Sequence, residues 1–258
     1  MKEKYLEQIQ QGIKCTNSYR SSEDALIELE KDTTLIDSQS SGLLFIEKSR
    51  YNFWRFYFYI QDIAKINWDV FKEKKVVAEI IVRQSQKEKW EPIVETFQEK
   101  GGFKLYDTFI RLYKDKIDID VHDVDFSMID TPIEEDFLKI QQLLEANFDI
   151  YCDRIPSVEE LKSLAETTFL IKDNGEIVAF FIAEKKGVTL VYRYWLVLQD
   201  YRGRKYGDIL MKRILTSDQE IERITSWISE KLDYSILAHK RLGFKEDGLK
   251  NYILYKEL

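Results

Sequence analysis

The sequence predicts an α/β protein made of two tandem domains, each a sheet flanked by helices. Three observations carry this expectation. The chain has 258 residues, of which 44% are hydrophobic and 14% aromatic, enough material for two ordinary cores. Short β-branched and aromatic runs alternate with amphipathic stretches of helical period. Finally, EKGGFKLYDTFIRLYK near the end of the first half is echoed by KRLGFKEDGLKNYILYK near the end of the second, with Phe103 and Phe244 141 positions apart. Each echo follows a β-branched strand and a helix, so duplication is the favoured account, with domains over 1–120 and 121–258.

Taken in order, the first 35 residues look helical, as YLEQIQQGI and then SSEDALIELEKD, where Ser22 can cap a helix carrying Ala25, Leu26 and Leu29. LLFIEK, FWRFYFYI and VVAEIIV read as strands, followed by a helix near 88–100 and a strand at LYDTFIRLY. The aromatics of FWRFYFYI suit a core between sheet and helices better than an exposed stacking surface. The stretch Asp115 to Pro132 is acidic and lacks helical periodicity, which suits a linker that becomes an edge strand.

The second series opens with an amphipathic helix over Ile133 to Phe148, whose Phe137, Ile140, Leu143, Leu144 and Phe148 share one side. After the loop FDIYCDRIP, Ser157 and Glu160 form a capping box for a second helix. TFLIKD, the turn Asn174-Gly175 and EIVAFFIAEKK then read as a hairpin, and a further strand, VTLVYRYWLV, follows Gly187. A helix beyond Gly207, the strand RITSWIS, a helix over Tyr234 to Leu242, Gly243-Phe244 and a closing strand, LKNYILYKEL, complete the chain.

Charge and composition narrow the function. A net charge of −7 opposes nucleic-acid binding held mainly by phosphate contacts. The N-terminus lacks the apolar core of a signal peptide and no stretch approaches a membrane span, so a soluble cytoplasmic protein with neither nucleic-acid nor membrane partners is expected. Cys15 and Cys152, His122 and His239 lack metal-site spacing, so no metal is expected and both thiols are read as reduced.

Chemistry concentrates in YRGRKYGDILM, Tyr201 to Met211. It joins a strand to a helix, and the first turn of a helix presents unpaired N–H groups and a positive dipole end to an anion. Gly203 and Gly207 permit close backbone approach, while Arg202, Arg204 and Lys205 supply charge for a diphosphate or a 3′-phosphate. A plain basic turn is the alternative.

With this loop and the terminal HKRLGF at His239 to Phe244, the region from about Val124 to Leu258 resembles the GCN5-related N-acetyltransferase family. The resemblance implies tandem acyl-CoA N-acyltransferase-like domains, each a mixed, mostly antiparallel twisted sheet. The first would be a degenerate copy without the loop that shapes the acceptor cleft or the interface, and the second catalytic. It implies acetyl-CoA as co-substrate, held at its pyrophosphate by backbone amides of Arg202, Gly203, Arg204, Lys205, Tyr206, Gly207 and Asp208, with its pantetheine arm along Leu196, Val197 and Leu198. A primary amine of a small molecule or peptide would attack the thioester where two strands splay, and backbone near Val197 would stabilise the oxyanion. His239 stands at the family's usual Tyr and is the candidate acid for the leaving thiolate, with a plain helix residue as the alternative. Lys205 stands at the first loop glycine, and Leu232-Asp233 where Asn is frequent.

No general base stands out in the sequence; Glu184 and Glu230 are the carboxylates to weigh, each more simply read as a solvated side chain. The loop between the first two helices borders the acceptor site in the family, which makes Asp149, Tyr151, Asp153 and Arg154 candidates for acceptor recognition, or else caps of the turn. Arg193 joins them, since a guanidinium in an apolar strand needs a partner or a role. Strand alternation places Arg193 and Trp195 on one face and Tyr194 on the other. Two rivals stay open: a non-catalytic CoA-binding or protein-interaction module of the same fold, and an aminoacyl-tRNA-dependent transferase, for which neither a basic surface nor a helical arm is present. Homodimerisation is left open, as are the acceptor and the acyl chain.

Overall fold

The computed structural model describes residues 3, 6–7, 15–18, 26, 34–39, 42–115, 124–217 and 220–258. Two compact units emerge: Met1–Ile110 with Ser229–Lys231 and Gly248–Leu258, and Arg111–Ile228 with Leu232–Asp247. The expected cut between 120 and 121 lies outside the described residues, and the units are not simply the two contiguous halves.

The first unit contains β1 (Cys15–Thr16), β2 (Thr34–Gln39), β3 (Gly42–Lys48), β4 (Trp54–Ile60), β5 (Val76–Arg83), α1 (Lys87–Glu99) and most of β6 (Lys104–Asp115). Most of the helical expectation for the first 35 residues lies outside the described residues; Cys15–Thr16 is strand, and Leu26 is helical. The strand β2 has no strand signature in the sequence, because TLIDSQ mixes apolar and polar residues without a run. Strands β2, β3 and β4 pair antiparallel, and β4 pairs parallel with β5. On β4, Phe56 and Phe58 enter a core with Phe71, Phe97 and Phe103, while Tyr57 and Tyr59 pack with Leu43 and Phe45 on the opposite face. The aromatic run therefore fills both faces of a buried strand.

The last residues of the chain join this unit because β12 (Lys245–Lys256) pairs antiparallel with β5, from Leu249↔Arg83 to Lys256↔Val76. Leu254 enters the first unit's core, and Asn251 Nδ2 donates to Glu79 Oε2 at 3.2 Å. The same Glu79 pairs with Arg55 at 2.9 Å, which satisfies a guanidinium that is almost wholly buried.

The second unit orders its strands β11-β10-β9-β8-β7: β7 (Ile129–Asp130), β8 (Thr168–Asp173), β9 (Glu176–Lys186), β10 (Thr189–Val197) and β11 (Arg223–Ser229). Its helices are α2 (Glu134–Asn147), α3 (Val158–Ser163), α4 (Tyr206–Ser217) and α5 (Asp233–Arg241). Strand β9 is buried from Ile177 to Ala183, as a central strand covered on both faces must be. The β8–β9 hairpin turns on Asn174 and Gly175, both at positive φ. Ser157 and Glu160 exchange the reciprocal cap bonds of α3. Buried Asp136 accepts from Ile133 N–H at 2.9 Å and from Lys172 Nζ at 2.8 Å, which closes the start of α2.

The repeated Gly-Phe has a shared backbone basis. Gly102 and Gly243 both lie at positive φ just past a helix, and the following Phe103 and Phe244 are both buried.

Candidate functional site

Strands β10 and β11 run parallel only from Thr189↔Arg223 to Tyr192↔Ser226, and their pairing ends there. Beyond that point β10 continues to pair with β9, through a bulge between Tyr192 and Tyr194. Arg193 is the extra residue. A bulge shifts the side-chain parity of everything after it, so Tyr192 and Trp195, three positions apart, meet the same neighbours. Their ring centroids stand 4.5 and 5.8 Å from that of Phe181, and 6.5 and 5.3 Å from that of His239. The expected alternation, with Arg193 beside Trp195, is thus broken. Arg193 instead meets Glu184 at 3.3 Å and stands over the Tyr194 ring. Tyr194 does take the other face, against Phe148, with its hydroxyl donating to Arg154 O at 2.5 Å.

Past β10, Leu198 N–H still donates to Val178 O, while Val197 O accepts from Arg202 Nε at 3.3 Å, so the Val197 carbonyl points away from β9. A single 3-10 turn, Gln199–Tyr201, then leads into the glycine loop. Tyr201 anchors it, donating its hydroxyl to Asp173 Oδ2 at 2.9 Å and lying under the Arg204 guanidinium at 4.7 Å. That hydrogen bond also raises the Tyr201 phenol above its ordinary pKa.

The first i→i−4 bond of α4 runs from Ile209 N–H to Lys205 O. The amides of Gly203 through Asp208 therefore precede the intrahelical ladder, on a segment whose Arg202, Gly203, Arg204, Lys205 and Asp208 are exposed. Lys205 adopts φ 62°, the left-handed region where a glycine is at ease and a lysine is strained by about 1–2 kcal/mol. Gly207 has a different reason to be glycine: a Cβ there would come within 2.7 Å of Trp195 Cζ2. The start of α4 consequently lies directly on the Trp195 indole of β10.

His239 is buried on α5. Its Nδ1 pairs with Ser235 O at 2.9 Å, which fixes the neutral tautomer with hydrogen on Nδ1, and Nε2 is a buried atom without a protein partner. Burial lowers its pKa from the ordinary histidine value. The imidazole is therefore held neutral among Trp195, Phe244 and Tyr192. The Tyr192 hydroxyl is likewise buried without a protein partner, and burial raises its pKa. Tyr192 carried no sequence signal beyond its place in an apolar strand, and the contact between Gly207 and Trp195 joins residues that no local pattern links.

Glu184 is engaged by Arg193 and by Lys186, each at 3.3 Å. Glu230 pairs with Lys250 at 2.6 Å and falls in the first unit. In the helix–helix loop, Asp149 accepts from the amides of Tyr151 and Cys152, and Asp153 Oδ2 accepts from Asp149 N–H. These acids hold the turn together. No helix among the described residues is long and apolar enough to cross a membrane, and among them no group of three or more His, Cys, Asp or Glu could hold a metal ion.

Comparison with known proteins bears on this arrangement. Residues 135–244 match the family model described as Acetyltransferase (GNAT) family. Among solved structures, a tandem GNAT protein from the clavulanic acid biosynthesis pathway aligns with a TM-score of 0.61 and 11% identity, over 98% of this chain and 93% of that one. GCN5-related N-acetyltransferases from Kribbella flavida and Sphaerobacter thermophilus align with TM-scores of 0.59 and 0.58, each at 12% identity. They cover 92% and 93% of this chain and 95% and 86% of their own. At such identities the likeness is one of fold, and it extends over both units. No curated protein matches the chain.

Proposed function

We propose, from the premise that residues 135–244 form a domain of the acetyltransferase (GNAT) family, that the chain moves an acetyl group from acetyl-CoA to a primary amine of a small molecule or peptide. The observation that supports this most is the start of α4. Amides from Gly203 to Asp208 precede the helical ladder beside three cations, at the end of the strand whose parallel pairing has just stopped. The local chemistry fits a diphosphate: free N–H donors, the positive end of a helix dipole and exposed Arg202, Arg204 and Lys205.

In this reading the loop amides hold the pyrophosphate, and Leu196 to Leu198 carry the arm that bears the thioester. The bound co-substrate supplies an activated acetyl carbonyl. The amine attacks that carbonyl, a C–N bond forms, the C–S bond breaks, and the electron pair leaves on the CoA sulfur. His239 enters with a role opposite to the one expected from sequence. With Nδ1–H spent on Ser235 O and the ring neutral, Nε2 has no proton to give and can only accept one. It serves as an acceptor for the amine's proton, relayed through water. Glu184, tied to Arg193 and Lys186, fixes the guanidinium at the bulge rather than acting as a free base. Arg193, with Asp149, Tyr151 and Asp153 on the helix–helix loop, forms the proposed acceptor side. The reading places the activity in a soluble cytoplasmic protein without a metal.

The test is thiol release from acetyl-CoA over a panel of primary amines, with mass spectrometry of the products. Amine-dependent release with acetylated product supports transfer. A second reading, a non-catalytic CoA-binding module, rests on strained Lys205 at the first loop glycine and on the neutral, buried His239. Saturable acetyl-CoA binding with no acetylated product from any amine would favour it.

A further inference from the structure

We propose that the first unit has a strand opening of the same kind as the second but fills it with its own chain, residues Cys15–Ser18, so that each protein binds a single acyl-CoA. The stoichiometric half of this inference rests on the acyl-CoA reading above; the structural half stands alone.

Strand β4 has two edges. One pairs with β3 along its whole length, from Lys48↔Trp54 to Gly42↔Ile60. The other pairs parallel with β5 only at Trp54↔Val76 and Arg55↔Val77. This repeats the second unit, where β10 and β11 run parallel over a short stretch and then stop. In the second unit the continuing edge of β10 leads into the cationic loop. In the first unit the continuing edge of β4 is already taken.

Cys15 and Thr16 pair antiparallel with Ile60 and Tyr59 on that edge. Asn17 extends the pairing with its side chain: Nδ2 donates to Phe56 O at 2.8 Å, and Oδ1 accepts from Phe58 N–H at 2.9 Å. One carboxamide thus satisfies a donor and an acceptor of the same strand edge, as the amide of an extended ligand does. Tyr59 donates its hydroxyl to Ser18 Oγ at 2.7 Å. Asn17 is only 3% exposed, and Ser18 6%. Any ligand entering here must replace these bonds in a buried setting, where each polar group left unmatched carries a desolvation penalty. Cys15 sits inside the same plug, and burial pushes its thiol up to about 12, so it is unreactive while the plug is seated.

Two measurements test the proposal on the full chain. In a Cys152→Ser background, Cys15 is the sole thiol, and its labelling by a maleimide should be at least about a hundredfold slower than in the urea-unfolded chain. Asn17→Ala should speed that labelling about tenfold, the factor that accompanies loss of a hydrogen bond to a buried group. Tyr59→Phe, which keeps β4 intact, should speed it less. If Asn17→Ala proves unfolded by circular dichroism, Tyr59→Phe alone decides. Labelling as fast in the native chain as in urea, or unmoved by the deciding variant, overturns the plug. Titration of the wild type with acetyl-CoA should saturate at one equivalent per chain, and two equivalents overturn the single-site inference. Should the wild type bind none, the acyl-CoA reading fails and takes the stoichiometric half with it, while the labelling result still decides the plug.

Discussion

Gly207→Ala should damage the second unit through one contact, and its size can be worked from the structure. A Cβ at Gly207 would lie 2.7 Å from Trp195 Cζ2, 2.8 Å from Nε1 and 2.9 Å from Cε2, against the 3.4 Å at which ordinary contact begins. The shortfall of 0.7 Å at Cζ2 falls on a rigid indole, not on the far end of a flexible chain. Either α4 lifts from β10 or Trp195 leaves its place against Phe181 and His239. Overpacking of this kind costs about 1–3 kcal/mol. Because the displaced turn carries the proposed anion cradle, acetyl-CoA binding should weaken by about tenfold or more as the amides shift. The assay is a double-mutant cycle by urea unfolding. Gly207→Ala should cost about 1–3 kcal/mol in the wild type and less than about 0.5 kcal/mol in a Trp195→Ala background, where the added methyl has room. An equal cost in both backgrounds would show that the indole does not set the requirement for glycine.

Other perturbations follow from the same geometry. His239 has a lowered pKa, so the folded state binds fewer protons than the unfolded chain as pH falls below about 6.5. Its contribution is full above that pH and is lost as pH drops toward the folded pKa; thermal melts of His239→Gln should therefore lose less stability between neutral pH and pH 5 than wild type. Lys205→Gly should stabilise the fold by about 0.5–1 kcal/mol, as relief of left-handed strain exceeds the added chain entropy, while weakening acetyl-CoA binding through loss of a cation. Asp136→Ala should destabilise the second unit by about 2–3 kcal/mol in chemical unfolding, since it strips both Lys172 and the Ile133 amide of their partner.

Local chemistry made much of the fold legible. The strands LLFIEK, FWRFYFYI, VVAEIIV and EIVAFFIAEKK declare themselves by β-branched and aromatic runs, and Asn174-Gly175 and Ser157 with Glu160 by turn and cap chemistry that depends only on neighbours. What stayed hidden depends on long-range pairing. No residue of LKNYILYKEL states that its partner is VVAEIIVR, because an apolar strand reads the same whichever ladder completes it. The bulge at Arg193 left no glycine to mark it, so alternation put Trp195 in the wrong company. For Gly207 the residue type gave the need for close approach but not the neighbour, an indole as well as any ligand. His239 was legible as a chemical group, yet its protonation comes from burial and from Ser235 O, which only the packed helix supplies.

The central claim is that the loop at the start of α4 holds the pyrophosphate of an acyl-CoA, and Lys205→Glu tests it most directly. The side chain at 205 is exposed and already at positive φ, so exchanging one long side chain for another adds little strain while reversing the charge. Calorimetric titration with acetyl-CoA should give micromolar binding for the wild type and binding weaker by about tenfold or more for Lys205→Glu, as loss of a charge-assisted contact plus repulsion demands. Equal affinity in the two proteins, or no binding by folded wild type, would contradict the account.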